Sequence, residues 1–211
     1  MRITRGQRRT AVLIVLLMLL GAALIESGLS PTEPTQTQDT DRLREPGEHD
    51  PILGRVVAVA DGDTVTVLDA TLRQHRIRLS GIDAPERGQA GGHRSKESLS
   101  DLVYDQPVRV DWRKRDRYGR VLGIVYVAPP DALCRGDTQC PVTLDAGLEQ
   151  LNRGRAWWYR QFAAEQTPEQ RAHYEQAEAQ ARARRVGLWR DGGAQAPWEF
   201  RRQNARRAEQ P

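Results

Sequence analysis

Gly54-Arg-Val-Val-Ala-Val-Ala-Asp-Gly-Asp-Thr-Val-Thr-Val-Leu68 reads as two strands joined by a tight turn. Residues 54–60 are rich in Val and Ala, bounded by turn residues, and are predicted to be a strand. Residues 64–68 alternate Thr with Val, the period of a strand with one face buried. Between them Asp61-Gly62-Asp63 has turn chemistry: two short carboxylates able to bond their own backbone, around a glycine.

Working outward, a third strand is predicted over 74–80, after a connection at 69–73. Two more are predicted over 107–112 and 120–127, joined by a polar turn at Asp116-Arg-Tyr-Gly119. A helix is predicted over 93–104, where Leu99, Leu102 and Val103 share one side. Another is predicted over 144–153, with Gly154 as its stop. A third is predicted to start with Thr167 as N-cap, Pro168 at the first helical position and Gln170 three residues after the cap, and to run to Gly187. Five short strands, with a helix after the third and two after the fifth, predict an α+β fold that is mainly a β barrel. The expected architecture is a five-stranded OB-fold Greek-key barrel with about three helices, over residues 52–191.

The flanks read differently. Arg2, Arg5, Arg8 and Arg9 precede an uncharged apolar run over 11–25. A basic start before so short a run is the pattern of an export segment, and the run is short for a full membrane span. Leu24, Ile25 and Glu26 interrupt any small-x-small cleavage site, so residues 1–25 read either as a removed signal or as an N-terminal anchor in the inner membrane. In both cases the remainder is expected to be exported, periplasmic or secreted. Residues 26–51, rich in Pro, Thr, Gln and acids, are predicted to be a disordered linker. Cys134 and Cys140 flank a polar loop and can form a small disulfide in an oxidising compartment, free thiols being the alternative. Two sulfurs with no nearby His do not make a zinc site. Residues 192–211 form a basic extension with Pro197-Trp-Glu-Phe200 near its start. A formal net charge of +4 permits a polyanionic partner without demanding one.

The chemistry is concentrated in three loops. Asp63 stands at a strand entrance after a glycine turn. Asp83-Ala-Pro-Glu86 follows the third strand, and Pro85 stiffens that loop. Carboxylates brought together from separate loops repel one another unless a cation lies between them, and a hard cation with oxygen ligands, calcium above all, suits that place. Arg78 and Arg120 bring forked donors that match phosphate oxygens. A third carboxylate, left off the metal, can act as general base. Metal, base and two anion clamps are what phosphodiester hydrolysis needs. Singly none of these is specific, since an Asp-Gly-Asp turn is commonly only a turn.

The conjunction is specific. Val59-Ala-Asp-Gly-Asp-Thr-Val65, Arg76-Ile-Arg-Leu-Ser-Gly-Ile-Asp-Ala-Pro-Glu86 and Asp116-Arg-Tyr-Gly-Arg120 occur in that order, followed by Arg153-Gly-Arg-Ala-Trp-Trp-Tyr159 and Gly187-Leu-Trp189. The stretch 53–191 resembles the staphylococcal-nuclease-like (thermonuclease) family. The resemblance implies a Ca2+-dependent nuclease of low sequence specificity, acting as a monomer on single-stranded or denatured DNA and on RNA, and leaving 3′-phosphates. It implies that Asp63, Asp83 and the backbone carbonyl of Ala84 bind calcium; the family's archetype has Thr where Ala84 stands. It implies that Glu86 is the general base, and that Arg78 and Arg120 hold the phosphate. Three further residues are substrate-binding candidates. Tyr118 packs beside the nucleotide or closes its turn. Arg115, alternating with Arg113 and Arg117, guides a phosphate backbone or lines a solvated edge. Tyr159 belongs to a Trp157-Trp158-Tyr159 cluster that stacks bases or packs the rim of the core. The alternative function is a non-catalytic exported OB-fold module that binds nucleic acid or protein; the presence of all five polar side chains argues against it.

Overall fold

The computed structural model describes residues 49–209, so the export segment and nearly all of the predicted linker lie outside the described residues. The quoted hairpin is β1 (Ile52–Val59) and β2 (Thr64–Asp69), antiparallel, with Val56 opposite Val67 and Val59 opposite Val65. β3 (Gln74–Leu79) pairs antiparallel with β2. After the two-residue β4 (Ile82–Asp83), β5 (Pro107–Arg115) pairs with the other edge of β1, and β6 (Val121–Val127) pairs with β5. A parallel pairing of β6 with β3, Arg78 opposite Leu122, closes the ring. Counting the five long strands in chain order, the ring reads first, second, third, fifth, fourth: a closed five-stranded Greek-key barrel.

Period-2 alternation fills it. Val65, Val67, Ile77, Val110 and Val121 point inward and are fully buried. In β3 the opposite set, Arg76 and Arg78, therefore points off the barrel. Helix α1 (Gly92–Val103) lays Leu99, Leu102 and Val103 on the core, the side predicted for it.

The helix predicted over 144–153 begins two residues later, at Ala146, as α2 (Ala146–Asn152). Leu144–Asp145 is instead a short strand, β7, bonded to the end of β6. The Asp145 carboxylate then caps the helix, accepting the N–H groups of Gly147 at 2.8 Å and Leu148 at 3.1 Å. Helix α3 (Pro168–Ala183) has the predicted capping box at Thr167 and Gln170, but it stops short of Gly187, which opens a separate 3-10 turn, Gly187–Trp189. Tyr174 and Ala181 of α3 are buried.

Three features have no counterpart in the sequence reading besides β7. β4 pairs antiparallel with β8 (Trp157–Trp158) in a small second sheet, setting Asp83 opposite Trp157. A 3-10 segment, Arg160–Glu165, follows β8. The extension contains a fourth helix, α4 (Pro197–Ala208). Cys134 and Cys140 are joined in a disulfide. Among the described residues no helix is long and apolar enough to cross a membrane.

Candidate active site

Asp63 is held on all sides. It follows Gly62 out of the hairpin turn, and its Oδ1 accepts the Thr64 hydroxyl at 3.1 Å while Oδ2 accepts the Ala84 N–H at 2.7 Å. Gly62 is required because a Cβ there would run into Ser95, and would lie 2.7 Å from the Ala84 methyl. The Gly62 carbonyl accepts a hydrogen from the buried Gln150 side chain at 2.9 Å, so α2 anchors the turn from behind.

Asp83 ends β4 and is 1% exposed. A carboxylate this buried needs positive partners, and it has two. Arg78 donates from Nη2 to Asp83 Oδ1 at 2.8 Å and pairs through Nη1 with Asp63 Oδ2, bridging the two carboxylates. Arg201 of α4 forks the same group, giving Nη1 to Oδ1 at 3.2 Å and Nη2 to Oδ2 at 2.8 Å. Arg201 also donates to Glu86 Oε1 at 2.7 Å. Glu86 is partly exposed, and its loop is fixed by its N–H donating to Gln89 Oε1 at 3.1 Å. Asp63, Asp83, Glu86 and Arg78 thus converge on one place, with Arg201 joining them from the far end of the chain.

Burial lowers the Arg78 pKa, with the nearby Arg120 charge adding to the effect and Asp83 and Asp61 opposing it. Burial acts in the same direction on Arg201, but its bonds to Asp83 and Glu86 outweigh that and raise its pKa. Both guanidinium groups remain charged at any ordinary pH.

Arg120 lies close enough to depress the Arg78 pKa, yet it does not bond the central carboxylates. It pairs with Asp116, from Nε and Nη2, each at 2.7 Å. Burial pushes the Asp116 carboxyl up, but the Arg120 bonds and the N–H groups of Arg120 and Tyr118 outweigh it and hold the pKa low. Tyr118 is exposed at the tip of the β5–β6 turn, its ring flanked by Arg117 and Arg120. Arg115 braces the same turn, donating to the Gly119 carbonyl at 3.0 Å, with its guanidinium over the Trp112 ring. Tyr159 sits on the rim beside α4. Its ring stacks on Trp198 of α4 at 5.6 Å and meets Phe162 edge-on. Trp157 and Trp158 are buried and pack the core side of that rim.

All the donors Asp63, Asp83, Glu86 and the Ala84 peptide offer are hard oxygens, the kind a calcium-sized cation takes. Among the described residues no three acidic, His or Cys side chains form a metal cage, so an ion here would complete its shell with the main chain and water. The donor chemistry fits, and the forked Arg201 shows that Asp83 accepts a cation from the open side.

Sequence reasoning missed Arg201 and Gln150. The only trace of the first was an Arg-rich, aromatic extension; the second sits in a helix whose pattern gives no sign of a buried amide.

A model of the family described as "Staphylococcal nuclease homologue" matches residues 76–191, a span that holds Arg78, Asp83, Glu86 and Arg120 and leaves out Asp63 and Arg201. A micrococcal nuclease of Shigella flexneri is 44% identical over 149 residues, 71% of this chain and 80% of the relative. An uncharacterized endonuclease of Haemophilus influenzae is 38% identical over 149 residues, 71% of this chain and 72% of the relative. Protein ParB of Escherichia coli is 38% identical over 159 residues, covering 75% and 84%. With more than half its length matched, the chain belongs to the staphylococcal nuclease homologue family.

Proposed function

We propose that this nuclease hydrolyses single-stranded or denatured DNA, and RNA, with calcium at Asp63 and Asp83, Glu86 as general base, and 3′-phosphate products. The observation that carries the reading is the convergence of Asp63 and Asp83 on the Arg78 guanidinium, with Glu86 tied to Asp83 through Arg201. Asp63, Asp83 and the Ala84 carbonyl would hold the ion, which when bound neutralises charge gathering on the phosphate. Glu86, the most exposed of the three carboxylates, would take a proton from a water at the mouth of the site, and its exposure supports that role. That water's oxygen bonds to phosphorus, the bond to the 5′ oxygen breaks, and the leaving oxygen takes up a proton. Arg78 contributes a buried charge that needs no reorganisation during the reaction. On Arg120, Asp116 holds the Nε and Nη2 edge; the Nη1 donors are those a phosphate would take. The export-like segment 1–25 and the Cys134–Cys140 disulfide support a place outside the cytoplasm.

The test is digestion of single-stranded DNA titrated with calcium. Wild type cuts, chelator stops it, and Glu86→Gln or Arg78→Ala lowers the rate by about 10²–10³. Wild-type protein that binds calcium and DNA but releases no product would instead point to a binding module.

A further inference from the structure

We propose that α4 adds a phosphate-binding subsite to the nuclease site: Arg201 is a stand-in counter-ion that cedes Asp83 to the metal and then binds the nucleic-acid backbone beside the scissile phosphate. The inference rests on the reading of the site given above.

Arg201 is bonded to both a metal-binding candidate and the base candidate, Asp83 through a two-pronged fork and Glu86 through one bond. A divalent ion on Asp83 and a guanidinium forking the same two oxygens exclude each other by contact and by charge. The site carries three carboxylates against the two guanidinium groups of Arg78 and Arg201. Replacing Arg201 by a doubly charged ion makes it neutral, and a guanidinium left nearby then has no anion until a phosphodiester arrives.

Arg201 cannot drift far when it lets go, because α4 is fixed by other contacts. The Trp198 ring lies nearly parallel to Tyr159, and the Gln89 side-chain amide donates to the Gln195 carbonyl at 2.6 Å just before the helix. The Arg201 side chain is 42% exposed, so swinging outward costs it little desolvation. It has somewhere to swing. A cavity of about 550 Å³ opens between α4 and the Tyr159 rim, and Arg160, Arg201 and Arg202 all line it. Three guanidinium groups around a cleft with aromatic walls suit a single-stranded phosphate chain. Arg201 is thereby a substrate-positioning residue, with a forked geometry that Lys does not reproduce.

The experiment compares wild type with Arg201→Ala and Arg201→Lys. Calcium affinity is measured by calorimetry without nucleic acid, and kcat and KM on single-stranded DNA at saturating calcium over a salt series. Removing the stand-in should tighten calcium binding several-fold. It should raise KM about tenfold with kcat changed far less, and flatten the dependence of log KM on log salt by about 0.7. Arg201→Lys should recover part of the KM loss. If Arg201→Ala does not fold, Arg201→Gln keeps the stem and serves in its place. Unchanged calcium affinity or unchanged KM overturns the proposal, and so does a lower KM, which would make α4 a plug. Wild type that neither binds calcium nor cuts DNA would defeat the reading of the whole site. Wild type that does both, matched by Arg201→Ala in calcium affinity and KM, would defeat the role of Arg201 alone.

Discussion

Gln150 is the residue whose replacement best tests how the fold holds the Asp61–Asp63 turn. Its amide spends one hydrogen on the Gly62 carbonyl at 2.9 Å and the other on the Ser95 carbonyl at 3.0 Å, and the side chain is fully buried. Gln150→Leu keeps the volume and removes both donors. The two losses are unequal. Ser95 lies inside α1 and keeps a helical N–H on its carbonyl, so it loses only a second partner. Gly62 lies in a turn, and its carbonyl is left buried and unpaired, which costs about 1–3 kcal/mol. We therefore expect a net loss of about 2 kcal/mol, or roughly 4–8 °C in Tm for a domain of this size. Gln150→Glu should be worse at neutral pH, since it turns an oxygen toward two carbonyl oxygens. That carboxyl would be driven to hold its proton, so its folded pKa is raised. The sign follows: this variant is least impaired below the ordinary carboxylate pKa and loses stability as pH rises through the folded value. Urea denaturation followed by tryptophan fluorescence, repeated across pH, reads both effects. A Gln150→Leu protein within about 0.5 kcal/mol of wild type would show that the turn does not depend on this amide.

Gly62→Ala should lose about 1–3 kcal/mol through overpacking against Ser95 and the Ala84 methyl, and should weaken calcium binding by shifting Asp63; a variant with unchanged urea midpoint and calcium affinity would contradict the packing described for that turn. Glu178 is buried under β8, accepting the Trp158 N–H at 3.3 Å and pairing with Arg160 at 2.9 Å and Arg182 at 3.3 Å. Because both arginines are about half exposed and can rehydrate, Glu178→Gln should cost only about 1–2 kcal/mol, below the range for breaking a wholly buried pair; a loss above that in urea denaturation would mean the arginines cannot rehydrate. Asp116 has a lowered folded pKa, so its stabilisation is present above the unfolded value and is lost as pH falls through the folded one. Asp116→Asn should accordingly be destabilised at neutral pH, with the gap to wild type closing only as pH falls below the ordinary carboxylate value and on through the lowered folded one; a gap that persists below both would exclude the ion pair as its source.

The legible parts of the fold are those in which a local pattern and a tertiary need coincide. The alternation of Thr64 to Leu68 marks a strand face, and the barrel buries that face. Thr167, Pro168 and Gln170 mark a helix start that needs no neighbour to define it. The misplaced start of α2 has a definite cause. Leu144 fits an apolar helix position equally well, and only its pairing with Val127 makes it strand. β4 and β8 are two residues each, too short to show any period, yet their pairing presents Asp83 to Arg78. The site's motifs were visible because three short loops each carry two or three polar residues at fixed spacing. Arg201 was not, because it reaches Asp83 across 118 positions and its segment looks in isolation like a solvated basic helix.

That omission changes the electrostatic argument. From sequence, clustered carboxylates seemed to require an external cation, because nothing local could neutralise them. In the folded chain two guanidinium groups already offset most of that charge, one fixed on β3 and buried, the other on α4 and partly exposed to solvent. The buried one cannot leave without stranding Asp63 and Asp83, so Arg78 is a permanent part of the charge balance. The exposed one can leave. Under the exchange proposed above, a metal ion entering this site would displace Arg201, and its affinity would be set by the competition of two cations for Asp83. The metal affinity of this protein should therefore respond to changes in α4, a helix that contributes no ligand to the ion.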